Sequence, residues 1–238
     1  MVRFILYFLA FLFSWPLLLT AQSGMAILEK SIMAHDPQGK WNSATLSVHI
    51  EEPRVGNPYR YSIVKLDNKT GYFEMQRNRE AHVSTHIMDE NDLAMSLLDG
   101  KLVTDSTLIK SYRLEPSRNE RYKSYYEGFY GMPMNLPEKI EKIIESTEVV
   151  FNGKECYSIK IKLKEPLFSD QWRVYVAKAD YFVLGLEMIT DESKMEGERL
   201  YFDQFFEVDG MKLARMRHWH DIKDDVYLGS DIIVSNVE

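Results

Sequence analysis

Along most of the chain, apolar and polar positions alternate with a period of two. Leu46, Val48 and Ile50 alternate with polar neighbours, as do Tyr59, Tyr61 and Ile63, the pattern of strands with one buried face. The dipeptides Asp99-Gly100, Asn152-Gly153 and Asp209-Gly210 punctuate these runs. Two-residue type I′ hairpin loops need positive φ at both central residues, which such pairs tolerate. The first should join Met95–Leu98 to Leu102–Val103. Two stretches break the alternation. Ser23 is placed to cap a helix in which Ile27, Leu28, Ile32 and His35 recur near helical spacing, ended by Asp36-Pro37-Gln38-Gly39. In mid-chain, Ser117-Arg118-Asn119-Glu120 matches a capping box, and Tyr122, Tyr125, Tyr126, Phe129 and Tyr130 follow until Gly131 and Pro133. Pro137 then predicts a shorter helix carrying Ile140, Ile143 and Ile144, with strands resuming from Thr147.

No linker, internal repeat or low-complexity stretch divides the chain, so residues 23–238 read as a single α+β domain. A half-buried antiparallel sheet must cover its apolar face. The economical solution is a strongly curved sheet, a half-open barrel, wrapped around the N-terminal helix and the mid-chain helical insert.

The first 22 residues have a different character. Arg3 precedes an apolar run to Leu19, interrupted by Ser14 and Pro16, and Ala21-Gln22-Ser23 follows. That is the layout of a cleaved secretory signal peptide; a retained membrane anchor is the alternative. The run is short beside the roughly 20 residues of a spanning helix. The expected product is therefore periplasmic or secreted, with no stable transmembrane span. A chain of 238 residues with 45% hydrophobic and 27% charged residues is globular in type. Its net charge of −7 and lack of a basic run exclude nucleic-acid binding driven by phosphate contacts. The one cysteine, Cys156, rules out an internal disulfide. It lies far from the leader and has no neighbouring histidine, so it reads as a packed small hydrophobe. No Gly-rich phosphate loop, nucleophile elbow or zinc-protease helix occurs, and no cofactor is implied.

The last hairpin carries the candidate chemistry. If Asp209-Gly210 is a two-residue loop, Val208 faces Met211, Phe206 faces Leu213, Gln204 faces Arg215, Phe202 faces Arg217 and Leu200 faces Trp219. This face is the apolar one and should point inward. Gln204, Arg215 and Arg217 then lie among aromatic neighbours, where a guanidinium is costly unless paired. One reading is a cavity whose arginines meet an anionic or polar ligand head while aromatic side chains hold its apolar part. Its candidate lining is Trp172, Phe202, Gln204, Arg215, Arg217 and Trp219, with Tyr126 and Phe129 from the tyrosine-rich helix. The other reading has the arginines reach the rim or pair with internal carboxylates such as Glu187. His218 and His220 share the outer strand face opposite Tyr201 and Arg199. Two ligands are too few for zinc, and no metal site is assigned. The acidic pairs Glu51-Glu52 and Asp89-Glu90 read as solvated strand ends.

Several segments jointly resemble an uncharacterised family of secreted or lipid-anchored proteins of Bacteroidota-type bacteria, classed as a domain of unknown function. They are Ile27-Leu28-Glu29-Lys30-Ser31 with His35-Asp36-Pro37-x-Gly39-x-Trp41, and the Arg-Asn-x-x-Tyr helix leading to Tyr130-Gly131-Met132-Pro133. Gly197-Glu198-Arg199, Val208-Asp209-Gly210-Met211-Lys212, Arg217-x-Trp219 and Leu228-Gly229-Ser230-Asp231 complete the set. The family is similar in architecture to the LolA/LolB-like lipoprotein carriers, which implies a curved antiparallel sheet enclosing an apolar cavity. Many relatives carry a lipobox cysteine behind the leader, where this chain has Ser23 and Gly24. The resemblance implies a binder of a hydrophobic, lipid-like ligand such as an acyl chain. The alternatives are a cell-envelope module that binds a protein partner and, third, a metal-dependent hydrolase.

Overall fold

The computed structural model describes residues 23–237; the signal peptide expected over residues 1–22 lies outside the described residues. Ser23 caps α1 (Gly24–His35), its Oγ accepting the Ala26 N–H at 3.2 Å. Asp36 then turns the chain, its carboxylate accepting the Trp41 N–H at 2.8 Å, and Trp41 drops into the core. Strands β1 (Thr45–Glu51), β2 (Tyr61–Asp67), β3 (Tyr72–Arg79), β4 (His82–Met88) and β5 (Ala94–Leu98) form one antiparallel meander. Helices α2 (Ser106–Tyr112), α3 (Ser117–Tyr130) and α4 (Leu136–Lys139) follow. A second meander runs through β6 (Ile140–Phe151), β7 (Lys154–Leu167), β8 (Ser169–Ala177), β9 (Val183–Asp191), β10 (Glu196–Val208), β11 (Met211–Asp221) and β12 (Tyr227–Asn236).

The two meanders join into one twelve-stranded sheet ordered β5-β4-β3-β2-β1-β12-β11-β10-β9-β8-β7-β6. Only the β1–β12 pair is not consecutive in sequence, and β5 and β6 remain as open edges, so the sheet curves without closing. Helix α3 touches β3, β4 and β5 on one wing and β7 on the other, which places it inside the curve. Ile27 and Leu28 of α1 and Tyr126, Phe129 and Tyr130 of α3 belong to one continuous core with Val48, Phe73, Trp172 and Leu200. A side chain at Gly131, where α3 ends, would collide with the Trp41 ring and the Glu127 carbonyl, so the chain can leave α3 there only without a Cβ.

The three expected I′ turns all form, with positive φ at Asp99 and Gly100, Asn152 and Gly153, and Asp209 and Gly210. Other local expectations need correction. Beyond Asp99-Gly100 only Leu98 and Lys101 bridge, and no strand forms at Leu102–Val103. The capping box at Ser117 does not form. Pro116 is already helical in conformation, and the carbonyls of Glu115 and Pro116 take the first N–H groups of α3. Ile140, Ile143 and Ile144 lie on β6 rather than on a helix. Register shifts at Ile140/Lys142 and Ile143/Glu145 interrupt the pleat, and bulged spacing mimics a helical period. Helix α2, unanticipated from periodicity, is capped by the Asp105 carboxylate, which accepts the Thr107 N–H at 2.7 Å.

Candidate functional site

Around the chain just beyond the end of β1, against α3, two carboxylates are buried with their partners. Asp231, on β12, is fully buried and accepts from Tyr125 Oη at 2.8 Å, from Trp219 Nε1 at 2.9 Å and from Arg54. Burial alone would raise its pKa, but the Arg54 guanidinium and these donors outweigh burial and hold it below the ordinary carboxylate value. Gly229 makes the approach feasible. Its φ is +154°, and a Cβ there would strike the Pro53 carbonyl and Arg54, so glycine lets the Pro53–Arg54 segment bridge to β12.

Glu52 is the second buried carboxylate. Arg60 Nε lies 2.7 Å and Arg77 Nη2 2.9 Å from its oxygens, and Ser62 Oγ donates to it at 3.2 Å. Arg77 also donates from Nε to Ser62 Oγ at 2.9 Å and from Nη2 to Tyr126 Oη at 2.8 Å. Burial lowers the Arg77 pKa, but the surrounding tyrosines and Glu52 more than compensate and the balance lies above the ordinary value. The sequence reads Glu52 as a solvated strand end, and the structure corrects this. Glu52 continues the inward series Leu46, Val48 and Ile50 of β1 and is buried.

Above these two centres opens a cleft of about 630 Å³, within the range of about 300–1,000 Å³ that small-molecule sites occupy. Its apolar wall is Tyr122 and Tyr125 of α3, Pro166 and Leu167 at the end of β7, Phe168 in the turn to β8, Trp219 and Leu228. Phe168 is 58% exposed, although its ring lies 5.8 Å from those of Tyr125 and Phe129. The polar wall holds Arg54, Arg60, Arg77, Arg113, Arg118 and Arg121 against Glu52, Glu120 and Glu198. Six guanidinium groups against three carboxylates make this a cationic mouth on a chain of net charge −7.

The residues singled out from the last hairpin are distributed over three environments. The register pairs Val208 with Met211, Phe206 with Leu213, Phe202 with Arg217 and Leu200 with Trp219, as a two-residue loop requires. Trp219 borders the cleft, and Tyr126 reaches its floor through its hydroxyl. Phe129 and Trp172 stack at 5.4 Å inside the packed core. Arg217 is 1% exposed, with its guanidinium 3.8 Å from the Tyr130 ring centre and 5.7 Å from that of Phe202. Its one hydrogen bond runs from Nη2 to the Phe129 carbonyl at 3.3 Å, while Nε and Nη1 are buried without a partner. Gln204 breaks the pleat with φ of +53° and is exposed, and Arg215 donates to it at 3.3 Å from a half-buried position. Glu187 is not available to these arginines, because it pairs with Arg173 and Arg199 at 3.2 and 2.7 Å. His218 and His220 bond to Ser230 Oγ and the Asp225 carbonyl. Among the described residues no group of three or more His, Cys, Asp or Glu is placed to hold a metal.

The cleft residues that sequence reasoning missed had a readable signal. Arg77 alternates with Phe73 and Met75, and Asp231 alternates with Ile233, so each lies on an inward parity beside core residues. A charged residue in phase with a buried face is the pattern to follow.

The curved antiparallel sheet, open at both edges with helices in its concavity, is a fold shared with solved LolA-like structures. The chain aligns with a LolA-superfamily protein of Nitrosomonas europaea at a TM-score of 0.52 and 8% identity, covering 92% of this chain and 94% of that one. It aligns with a DUF1329 family protein of Desulfovibrio piger at a TM-score of 0.53 and 15% identity, covering 89% and 91%. At these identities the likeness establishes the fold. The chain itself belongs to DUF6503, a family of unknown function, which residues 2–237 match. No curated protein is a significant match.

Proposed function

We propose that this protein binds an amphiphile in the cleft, with the apolar chain against Trp219, Phe168 and Leu167 and an anionic head among the arginines. The observation that carries this reading is the cleft's division into an aromatic wall and a guanidinium wall. An aromatic side chain as exposed as Phe168 gains by covering apolar ligand surface, and a cationic rim of this kind favours anions. The LolA-like fold supports the reading of a lipid-type ligand. An exported location, periplasmic or secreted, belongs to the same proposal and rests on the N-terminal pattern of Arg3, the apolar run and Ala21-Gln22-Ser23.

The test is titration of delipidated protein with dodecanoate, read by tryptophan fluorescence and calorimetry. We expect saturable micromolar binding, weakened about tenfold in Phe168→Ala with no loss of thermal stability, because Phe168 covers the cleft rather than the core. Absence of binding by any single-chain amphiphile would remove the proposal.

A further inference from the structure

The arginines of the cleft are unevenly matched with acids, and this bears on the head of the ligand. Asp231 holds Arg54, and Glu115 holds Arg118 at 2.6 Å. Glu52 is shared by Arg60 and Arg77. Arg79 lies on the same face of β3 as Arg77 and reaches the cleft-lining Tyr122, donating to its hydroxyl at 3.3 Å. Its Nε is buried with no partner, and no carboxylate lies within ion-pair distance of it among the described residues. Arg113, on the turn after α2, also lacks a carboxylate partner there. Besides burial, the charges of Arg77, Arg113 and Arg60 press on Arg79, and the balance disfavours its charge. Of the four guanidinium groups of Arg60, Arg77, Arg79 and Arg113, only the first two are thus ion-paired, both to Glu52, among the described residues.

Such a cluster costs stability in the unliganded fold and is relieved by an anion that matches its charge and donor number. With Arg79 added to the six lining arginines, and Asp231 and Glu115 added to the three lining carboxylates, the excess is two positive charges. A carboxylate brings one negative charge and two oxygens. A phosphate monoester brings about 1.5–2 negative charges and three oxygens, each able to accept from a guanidinium fork. We propose that Arg60, Arg77, Arg79 and Arg113 form a cradle for the phosphoryl group of a phosphate monoester. This rests on the amphiphile reading for the chain but not for the head, because a free phosphate monoester has the same recognisable group.

Calorimetric titration with dodecyl phosphate, dodecanoate and inorganic phosphate, on the full chain and on Arg79→Gln and Arg113→Gln, separates these cases. Dodecyl phosphate should bind at least about tenfold more tightly than dodecanoate, and either substitution should narrow that margin to under about threefold. Thermal melts supply the second readout. Ligand-free Arg79→Gln should melt no lower than the native protein, since it loses a repelled charge. Dodecyl phosphate should raise the native melting temperature more than that of the variant. Inorganic phosphate weaker than dodecyl phosphate by over about a hundredfold identifies a lipid head. Equal binding of the two identifies a free phosphate ligand, which keeps the cradle and removes the amphiphile reading. Equal affinity for dodecyl phosphate and dodecanoate, or equal loss of both in Arg79→Gln, overturns the cradle and leaves the amphiphile reading standing. Binding of none of the three overturns both.

Discussion

Arg77 and Arg217 are both buried on the concave face of the sheet, one in each wing, and they are satisfied in different ways. Arg77 gives its protons to Ser62, Glu52 and Tyr126. Arg217 has one long bond to a carbonyl, and the faces of Tyr130 and Phe202 stand in for a counter-ion. Aromatic faces attract a desolvated cation by about 2 kcal/mol, far less than an ion pair broken in the interior would cost. The first wing has built a polar centre with an outlet to the cleft. The second has absorbed a long cationic side chain into its core as packing.

The contrast makes quantitative predictions. Glu52→Gln removes the carboxylate from beneath Arg77 and Arg60, and urea unfolding should show a loss of about 3–5 kcal/mol. Each wing also buries one histidine, and their protonation gives the next largest effect. His35 Nδ1 lies 2.6 Å from the Lys212 carbonyl, and its Nε2 accepts the Val183 N–H at 3.1 Å. It is therefore a neutral ring tying α1 to β9 and β11. His86 sits against Asn119 Oδ1 at 2.8 Å and Tyr122. Burial pulls both pKa values down to about 4. The unfolded chain, with histidines near 6.5, holds more protons between those values, so the stabilisation is complete above pH 6.5 and drains away as the pH falls toward 4. The loss should be on the order of 3 kcal/mol for each histidine, and in His86→Asn only the His35 share should remain.

Arg217→Met should cost under about 1.5 kcal/mol or stabilise, since it removes two unpartnered buried donors while keeping the volume. A cost equal to that of Glu52→Gln would mean that the Tyr130 contact is worth an ion pair, and the distinction between the wings would fail. The smallest effect belongs to Gln204→Gly. It relieves a positive φ on an exposed side chain and should gain up to about 1 kcal/mol, less the Arg215 contact.

The fold was legible because its signals are local. Three I′ turns, the strand alternation and two helices were each encoded within a few residues, and together they specified the meanders. Bulges were not legible. The register shifts of β6 turned Ile140, Ile143 and Ile144 into an apparent helix, and the turn of backbone at Gln204 removed one residue from an otherwise correct face. Of the cleft lining, Trp219 alone was among the candidate ligand residues read from the sequence. Trp219 was placed by register, whereas Arg54, Arg60 and Arg113 come from loops and helix ends that only the tertiary structure brings to one mouth. Glu52 follows the end of β1, where a carboxylate is usually solvated, whereas Asp231 sits in mid-strand and is buried only because Arg54, Tyr125 and Trp219 converge on it.

The position of the β1–β12 pair has a consequence for assembly in time. Every other strand pairing can zip as a hairpin with its immediate neighbour, at small loop-closure cost. The join of Val48 to Asn236 and of Glu51 to Ile232 must wait until nearly the whole described chain exists. During synthesis the two meanders can form as separate half-sheets, each exposing an unpaired border, and Arg54 cannot reach Asp231 until the final strand emerges. The cleft is thus the last part of the molecule to be completed, and a chain that stalls before β12 presents two sticky borders and no binding site.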